Sequence, residues 1–85
     1  MIKLRYSWGR NYAEKRQIQT HCHDFFEFVY YIKASGKTVI NNKKYIFKNG
    51  SFALLPPYIN HNEKHDGISS VYVIGFESNE IPSKI

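Results

Sequence analysis

Four side chains in this sequence have the types and spacing for chemistry: His21, His23, Glu27 and His61. The first three fall in the run His21-Cys22-His23-Asp24-Phe25-Phe26-Glu27, which leads into the apolar stretch Phe28 to Ile32. Side chains along a β-strand point alternately to opposite faces, so an unbroken strand puts these three odd-numbered residues on one face. Two imidazoles and a carboxylate turned inward are costly to bury without partners. The partners can be a metal ion, the polar groups of a ligand, or one another. Neutral imidazoles with one carboxylate suit Zn, Fe, Mn or Ni; the competing reading is a metal-free polar lining. His61 comes much later, after Gly50-Ser51-Phe52-Ala53-Leu54-Leu55-Pro56-Pro57, a short apolar strand that ends at a proline turn.

Other candidates carry a plainer reading. Glu63 and His65 share parity with His61 and can extend a pocket, but a solvated strand end is the expectation. Cys22 lies opposite His21 and His23 by parity, so a buried or semi-buried thiol is expected rather than a ligand or nucleophile. Trp8, Tyr6, Tyr30, Tyr31, Tyr45 and Tyr58 can stack on a ring, although packing is the default role of aromatics in a small β domain. Tyr31, which shares the parity of Glu27, and Tyr58, near His61, are the two expected at a pocket.

The rest of the chain must position these groups. At 85 residues it is at most one domain, of a size that buries roughly 60% of the surface its unfolded chain exposes. One cysteine excludes an internal disulfide. The basic start lacks the apolar segment of a signal peptide, and no run approaches the roughly 20 residues of a membrane-spanning helix. A soluble, cytoplasmic protein with no membrane partner is expected. The formal charge is +5, but the bases are dispersed beside strands and turns, where lysine blunts sheet edges. They form no clustered nucleic-acid footprint.

In chain order, Lys3 to Trp8 reads as a first strand and Gly9-Arg10-Asn11 as a turn or loop. Tyr12 to Arg16 reads as a loop or one helical turn, and Gln17 to Thr20 leads extended into the histidines. Phe25 to Lys33 is aromatic and β-branched, a strand with both faces apolar. Asn41-Asn42-Lys43 marks a hairpin, and Lys48-Asn49-Gly50 a tight turn. Ser51 to Leu55 is a strand stopped by Pro56-Pro57. His61 to His65 and Ser70 to Phe76 are the last strands, and Glu77 to Ile85 a polar tail. Seven or eight short strands without a convincing helix argue for an all-β sandwich or barrel.

The order of motifs resembles the cupin superfamily of small jelly-roll barrels. His-x-His-x-x-x-Glu, a glycine at Gly36, a hairpin, then Gly50, Pro56 and His61 match its two motifs, which implies His21, His23, Glu27 and His61 as the metal or pocket set. Tyr58 stands where glycine is usual and His65 where asparagine is usual. The finer wording is similar to the N-terminal, arabinose-binding-like sensor domains of AraC-type transcriptional regulators: His-x-His-x-Phe-Phe-Glu-Phe-Val-Tyr-Tyr-Ile, then Gly-Lys-Thr-Val-Ile-Asn-Asn-Lys-Lys-Tyr, then Gly-Ser-Phe-Ala-Leu-Leu-Pro-Pro, ending in Val-Tyr-Val-Ile-Gly-Phe-Glu.

That resemblance implies an arm and first strand over 1–19, a cupin barrel core over 20–77, and a tail or linker over 78–85. The DNA-binding domain would lie outside this chain. It implies a non-enzymatic sensor that binds a small effector such as a sugar through His21, His23, Glu27, Tyr31, Tyr58 and His61, with a divalent metal as the one cofactor considered. Homodimerisation is expected, with exchange of an edge strand as one way to complete the sheets, and DNA contact only through the missing domain. The alternatives are a small metal-dependent cupin enzyme, an isomerase or dioxygenase, and a stand-alone carbohydrate-binding module.

Overall fold

The computed structural model describes residues 1–81. Eight strands follow in order: β1 (Ile2–Tyr12), β2 (Arg16–His21), β3 (Phe26–Lys33), β4 (Gly36–Ile40), β5 (Lys43–Phe47), β6 (Phe52–Leu55), β7 (His61–His65) and β8 (Ser69–Ser78). They form two antiparallel four-stranded sheets, β1-β8-β3-β6 and β2-β7-β4-β5. This is the strand order of an eight-strand jelly roll. No helix among the described residues is long and apolar enough to cross a membrane.

The core between the sheets is small. Val29 and Tyr31 of β3 meet Leu55, Phe47, Val71 and Val73, with Tyr6, Tyr12 and Ile40 packed against the cluster. The odd positions of β3 and β8 supply this face by strict alternation. Phe26, on the other parity, is buried against Phe76 with ring centroids 5.3 Å apart. Tyr30 and Ile32 stay substantially exposed.

Tight turns set the register of the second sheet. Asn41 and Asn42 both take positive φ, 50° and 67°, and link β4 directly to β5. Lys43 therefore belongs to β5, and the hairpin loop has two residues rather than three. A pair of left-handed residues matches the right-handed twist of the flanking strands. Gly36 sits between Phe47 and His65 in the ladder, and a Cβ there would stand 2.0 Å from the Lys64 carbonyl oxygen.

Several sequence expectations change. No unbroken strand joins His21 to Glu27: β2 ends at His21 in one sheet and β3 begins at Phe26 in the other. The polar His-Cys-His-Asp segment has little strand preference, and the chain uses it to cross between sheets. Cys22 is exposed on that crossover rather than buried. Gly9-Arg10-Asn11 is not a turn, because these residues pair with Tyr72, Val71 and Ser70 of the long β8. Glu77 and Ser78, read as tail, complete β8, while residues 82–85 of that tail lie outside the described residues. His65 is no solvated strand end; it is 1% exposed and among the most buried side chains.

Candidate functional site

The histidines converge although their strand is broken. β2 shifts register against β7 between Ile18 and His21, so that His21, rather than Thr20, stands opposite His61. An extra residue of this kind re-aims the side chains that follow it. His23 lies on the crossover, where its carbonyl accepts a hydrogen bond from the Tyr58 backbone at 2.8 Å. One ligand atom from each of His21, His23 and His61 fits within 4.8 Å of the others. Ring centroids are 4.3 Å apart for His21 and His61, and 5.1 Å for His23 and His61.

Backbone carbonyls fix the tautomers. His21 Nδ1 donates to the Gln19 carbonyl at 2.8 Å, His23 Nδ1 to that of Phe25 at 3.2 Å, and His61 Nδ1 to that of Ile59 at 3.0 Å. A carbonyl can only accept, so in a neutral ring the proton sits on Nδ1 and Nε2 is a bare lone pair. Nε2 of His23 and of His61 are buried with no hydrogen-bond partner. Burial lowers the His61 pKa, and the neighbouring His21 and His23 lower it further. The neutral, lone-pair-bearing form is therefore the favoured one.

This donor set fits a divalent metal. Ligating histidines characteristically donate their other N–H to a backbone carbonyl, and unpartnered buried nitrogens are costly unless something takes their lone pairs. Glu27 completes the neighbourhood: its Oε2 lies 3.7 Å from His23 Nε2 and accepts a hydrogen bond from the Tyr6 hydroxyl. Burial, then that hydrogen bond, raises the Tyr6 pKa.

A cavity of about 160 Å³ opens beside the cluster. Tyr6, Trp8, Arg10 and Tyr12 of β1 form one wall, while His21, Glu27, His61 and Glu63 bring polar groups to it. Tyr6 and Trp8 are stacked at 4.5 Å. Glu63 is held by His65, whose Nε2 lies 2.9 Å from Glu63 Oε2 and whose Nδ1 lies 2.9 Å from the Ser69 hydroxyl. A larger slot of about 480 Å³ lies between β5 and β6, lined by Tyr31, Tyr45, Ile46 and Phe52 among others. None of the histidines or carboxylates described above lines it, so the smaller cavity is the candidate site.

Of the six residues expected to bind ligand, His21, His23, Glu27 and His61 are brought together and two are not. Tyr31 is buried in the core, stacked on Phe47 at 4.1 Å, and is absent from the wall of the histidine cavity. Its pKa is raised by burial and by the adjacent Glu63. Tyr58 holds φ at 64° beyond the two prolines, and its side chain is 73% exposed. The left-handed backbone carries its ring outward, so only its N–H serves the site. Arg10 and Tyr12 were missed as lining residues, and Glu63, weighed as a pocket extension but expected at a solvated strand end, lines the cavity. The signal for the first two was the even spacing of Tyr6, Trp8, Arg10 and Tyr12, visible only if the strand is read through Gly9.

Solved structures with this fold include cupins. An RmlC-like cupin from Shewanella frigidimarina superposes with a TM-score of 0.81 at 12% identity, covering 92% of this chain and 69% of that one. A predicted oxalate decarboxylase from Thermotoga maritima gives 0.80 at 16% identity, covering 89% and 69%. A salicylate 1,2-dioxygenase from Pseudaminobacter salicylatoxidans gives 0.77 at 11%, covering 86% of this chain and 21% of that one. At these identities the likeness concerns the fold alone. A search of curated protein sequences finds no match. The family model of the AraC-like ligand binding domain matches residues 9–83. The chain belongs to the family of AraC-like ligand-binding domains, built on a cupin-type fold.

Proposed function

We propose that this domain is the effector-sensing part of an AraC-type transcriptional regulator. It takes a small polar metabolite, a sugar being the chemistry considered, into the cavity beside His21 and His61. The observation that carries the reading is that cavity. It joins an aromatic wall of Tyr6 and Trp8 to carboxylate acceptors at Glu27 and Glu63. Aromatic faces with a few convergent polar groups are the usual make-up of a small-molecule site. The volume is about that of five liquid waters, so the effector is small.

In this reading a divalent metal is held by His21, His23 and His61, with Glu27 alongside; when bound it supplies a positive centre for an oxygen of the effector. The residues orient the effector, and Trp8 and Tyr12 shield it from water. Sensing is a population shift: the effector prefers one arrangement of the N-terminal segment or of a dimer, and DNA affinity changes in a domain outside this chain. A cytoplasmic protein acting as a homodimer is part of the proposal.

Elemental analysis of protein purified without added metal, followed by thermal-shift screening against sugars and other small polar metabolites, tests it. Near-stoichiometric metal that is lost in His23→Ala or His61→Ala, with a raised melting temperature for a defined ligand class, is expected. Sequence-specific DNA binding by this chain alone contradicts the proposal. The bare Nε2 atoms also favour a second reading, a small metal-dependent enzyme such as an isomerase or dioxygenase. Turnover of a screened ligand by the metal-loaded protein, abolished in His61→Ala, would select it.

A further inference from the structure

β1 is bulged between Leu4 and Tyr6, which leaves Arg5 without a partner in the β8 ladder. The extra residue reverses the alternation, so Leu4 and Tyr6 face opposite ways although both are even-numbered. Tyr6 then stands opposite Gly75, and Gly75 stands opposite Glu27 on its other side. The three residues form one row across β1, β8 and β3. A Cβ on Gly75 would lie 2.4 Å from the Tyr6 ring. The ring therefore lies over the glycine and spans the middle strand. Trp8, stacked at 4.5 Å, and Phe25, edge-on at 5.5 Å, hold it there. Its hydroxyl reaches Glu27 Oε2, and that same oxygen faces His23 Nε2 at 3.7 Å.

We infer that Tyr6 and a divalent metal compete for one Glu27 oxygen, so that the centre binds metal through His21, His23 and His61 while Tyr6 holds the carboxylate aside. This rests on the metal reading given above. Tyr6 is then a positioning residue, and what it positions decides how many coordination positions stay open for an effector. A bulge, a glycine and a hydrogen bond all serve this one contact, and ordinary packing of a tyrosine requires none of them together. The sign of the effect is distinctive. A partner that only orients a ligand weakens metal binding about 10–100-fold when it is removed. Removing a competitor strengthens binding.

The test is the Zn²⁺ affinity of the wild-type chain, Tyr6→Phe and Gly75→Ala, measured against a chromophoric chelator, together with the visible spectrum of bound Co²⁺. Tyr6→Phe is expected to bind Zn²⁺ about tenfold tighter, within the range that outer partners command, and to change the Co²⁺ spectrum as an oxygen ligand is added. Gly75→Ala, which displaces the ring by crowding it, is expected to shift both in the same direction. In a Glu27→Gln background, Tyr6→Phe is expected to change nothing, because the two residues act as one unit. Unchanged or weaker Zn²⁺ binding by a folded Tyr6→Phe overturns the inference and leaves the metal reading standing. Should Tyr6→Phe fail to fold, Gly75→Ala decides by the same criterion. No Zn²⁺ binding by wild type and Tyr6→Phe alike overturns both.

Discussion

His65 and His61 lie four residues apart and are both buried, but for different ends. His61 keeps a bare Nε2 and a pKa lowered by burial. The consequence for the metal-free protein has a definite sign. A histidine whose folded pKa lies below its unfolded value of about 6.5 stabilises the fold fully above that pH. That contribution is lost as pH falls from about 6.5 toward the folded pKa, because the unfolded chain takes up the proton first. Melting curves of chelator-treated protein should show this slope, and His61→Gln should flatten it. His65 instead has both nitrogens engaged, by Glu63 and Ser69. His65→Ala leaves two buried polar groups unpartnered and a void, at a cost of about 2–4 kcal/mol, and is expected to lower the denaturation midpoint without removing bound metal. The two roles also explain what was legible at this scale. The spacing of His21, His23 and His61 advertises a cluster. Nothing local distinguishes a buried His65 from an exposed one, because the rings that cover it, Tyr12, Tyr31 and Phe47, come from other strands.

Among the strands, β4 is the most tightly specified. Gly36 has the Lys64 carbonyl on one side and the Phe47 ring on the other, and backbone cannot yield to a methyl group. Gly36→Ala should cost about 3 kcal/mol or more, read as a lower midpoint in urea or as insoluble expression. The strands themselves were largely readable, since β3, the β4–β5 hairpin and β8 combine β-branched and aromatic residues with unmistakable turn chemistry. Two elements were not. β1 was cut short because Gly9 and Asn11 are turn formers, and only the length of β8, a distant partner, holds them extended. The corner at Cys22–Phe25 was read as continuous strand, because parity arguments cannot see where a chain changes sheets. The histidines were thus expected to converge for a partly wrong reason: the register shift in β2, not simple alternation, aims His21 at His61.

Across the whole molecule, the first sheet presents an unusual outer face. Cross-strand rows of Ile74, Phe28 and Leu54, then of Tyr72, Tyr30 and Phe52, lie side by side, with Phe52 68% exposed. Contiguous apolar surface of this kind marks an interface. Self-association of this chain is the expected outcome, measured by size-exclusion chromatography with light scattering. Phe52→Lys together with Ile32→Lys should shift the population toward monomer, and a wild-type chain that stays monomeric across micromolar concentrations would speak against it. The sequence signalled this face through the even positions of β3, but not its extent, because β6 and β8 reach it only through sheet pairing.

His21 and His61 hang from one sheet, His23 from the corner, and Glu27 from the other sheet. Whatever settles among them works as a rivet through both plates of the shell. Riveting is felt by the folded chain alone, so an occupant present at a hundred times its dissociation constant adds about 2.7 kcal/mol. For a domain with so thin a core, that is a large fraction of the total. The molecule is in effect its own assay: heat it with one candidate after another, and the compound that belongs there announces itself by the temperature at which the two sheets part.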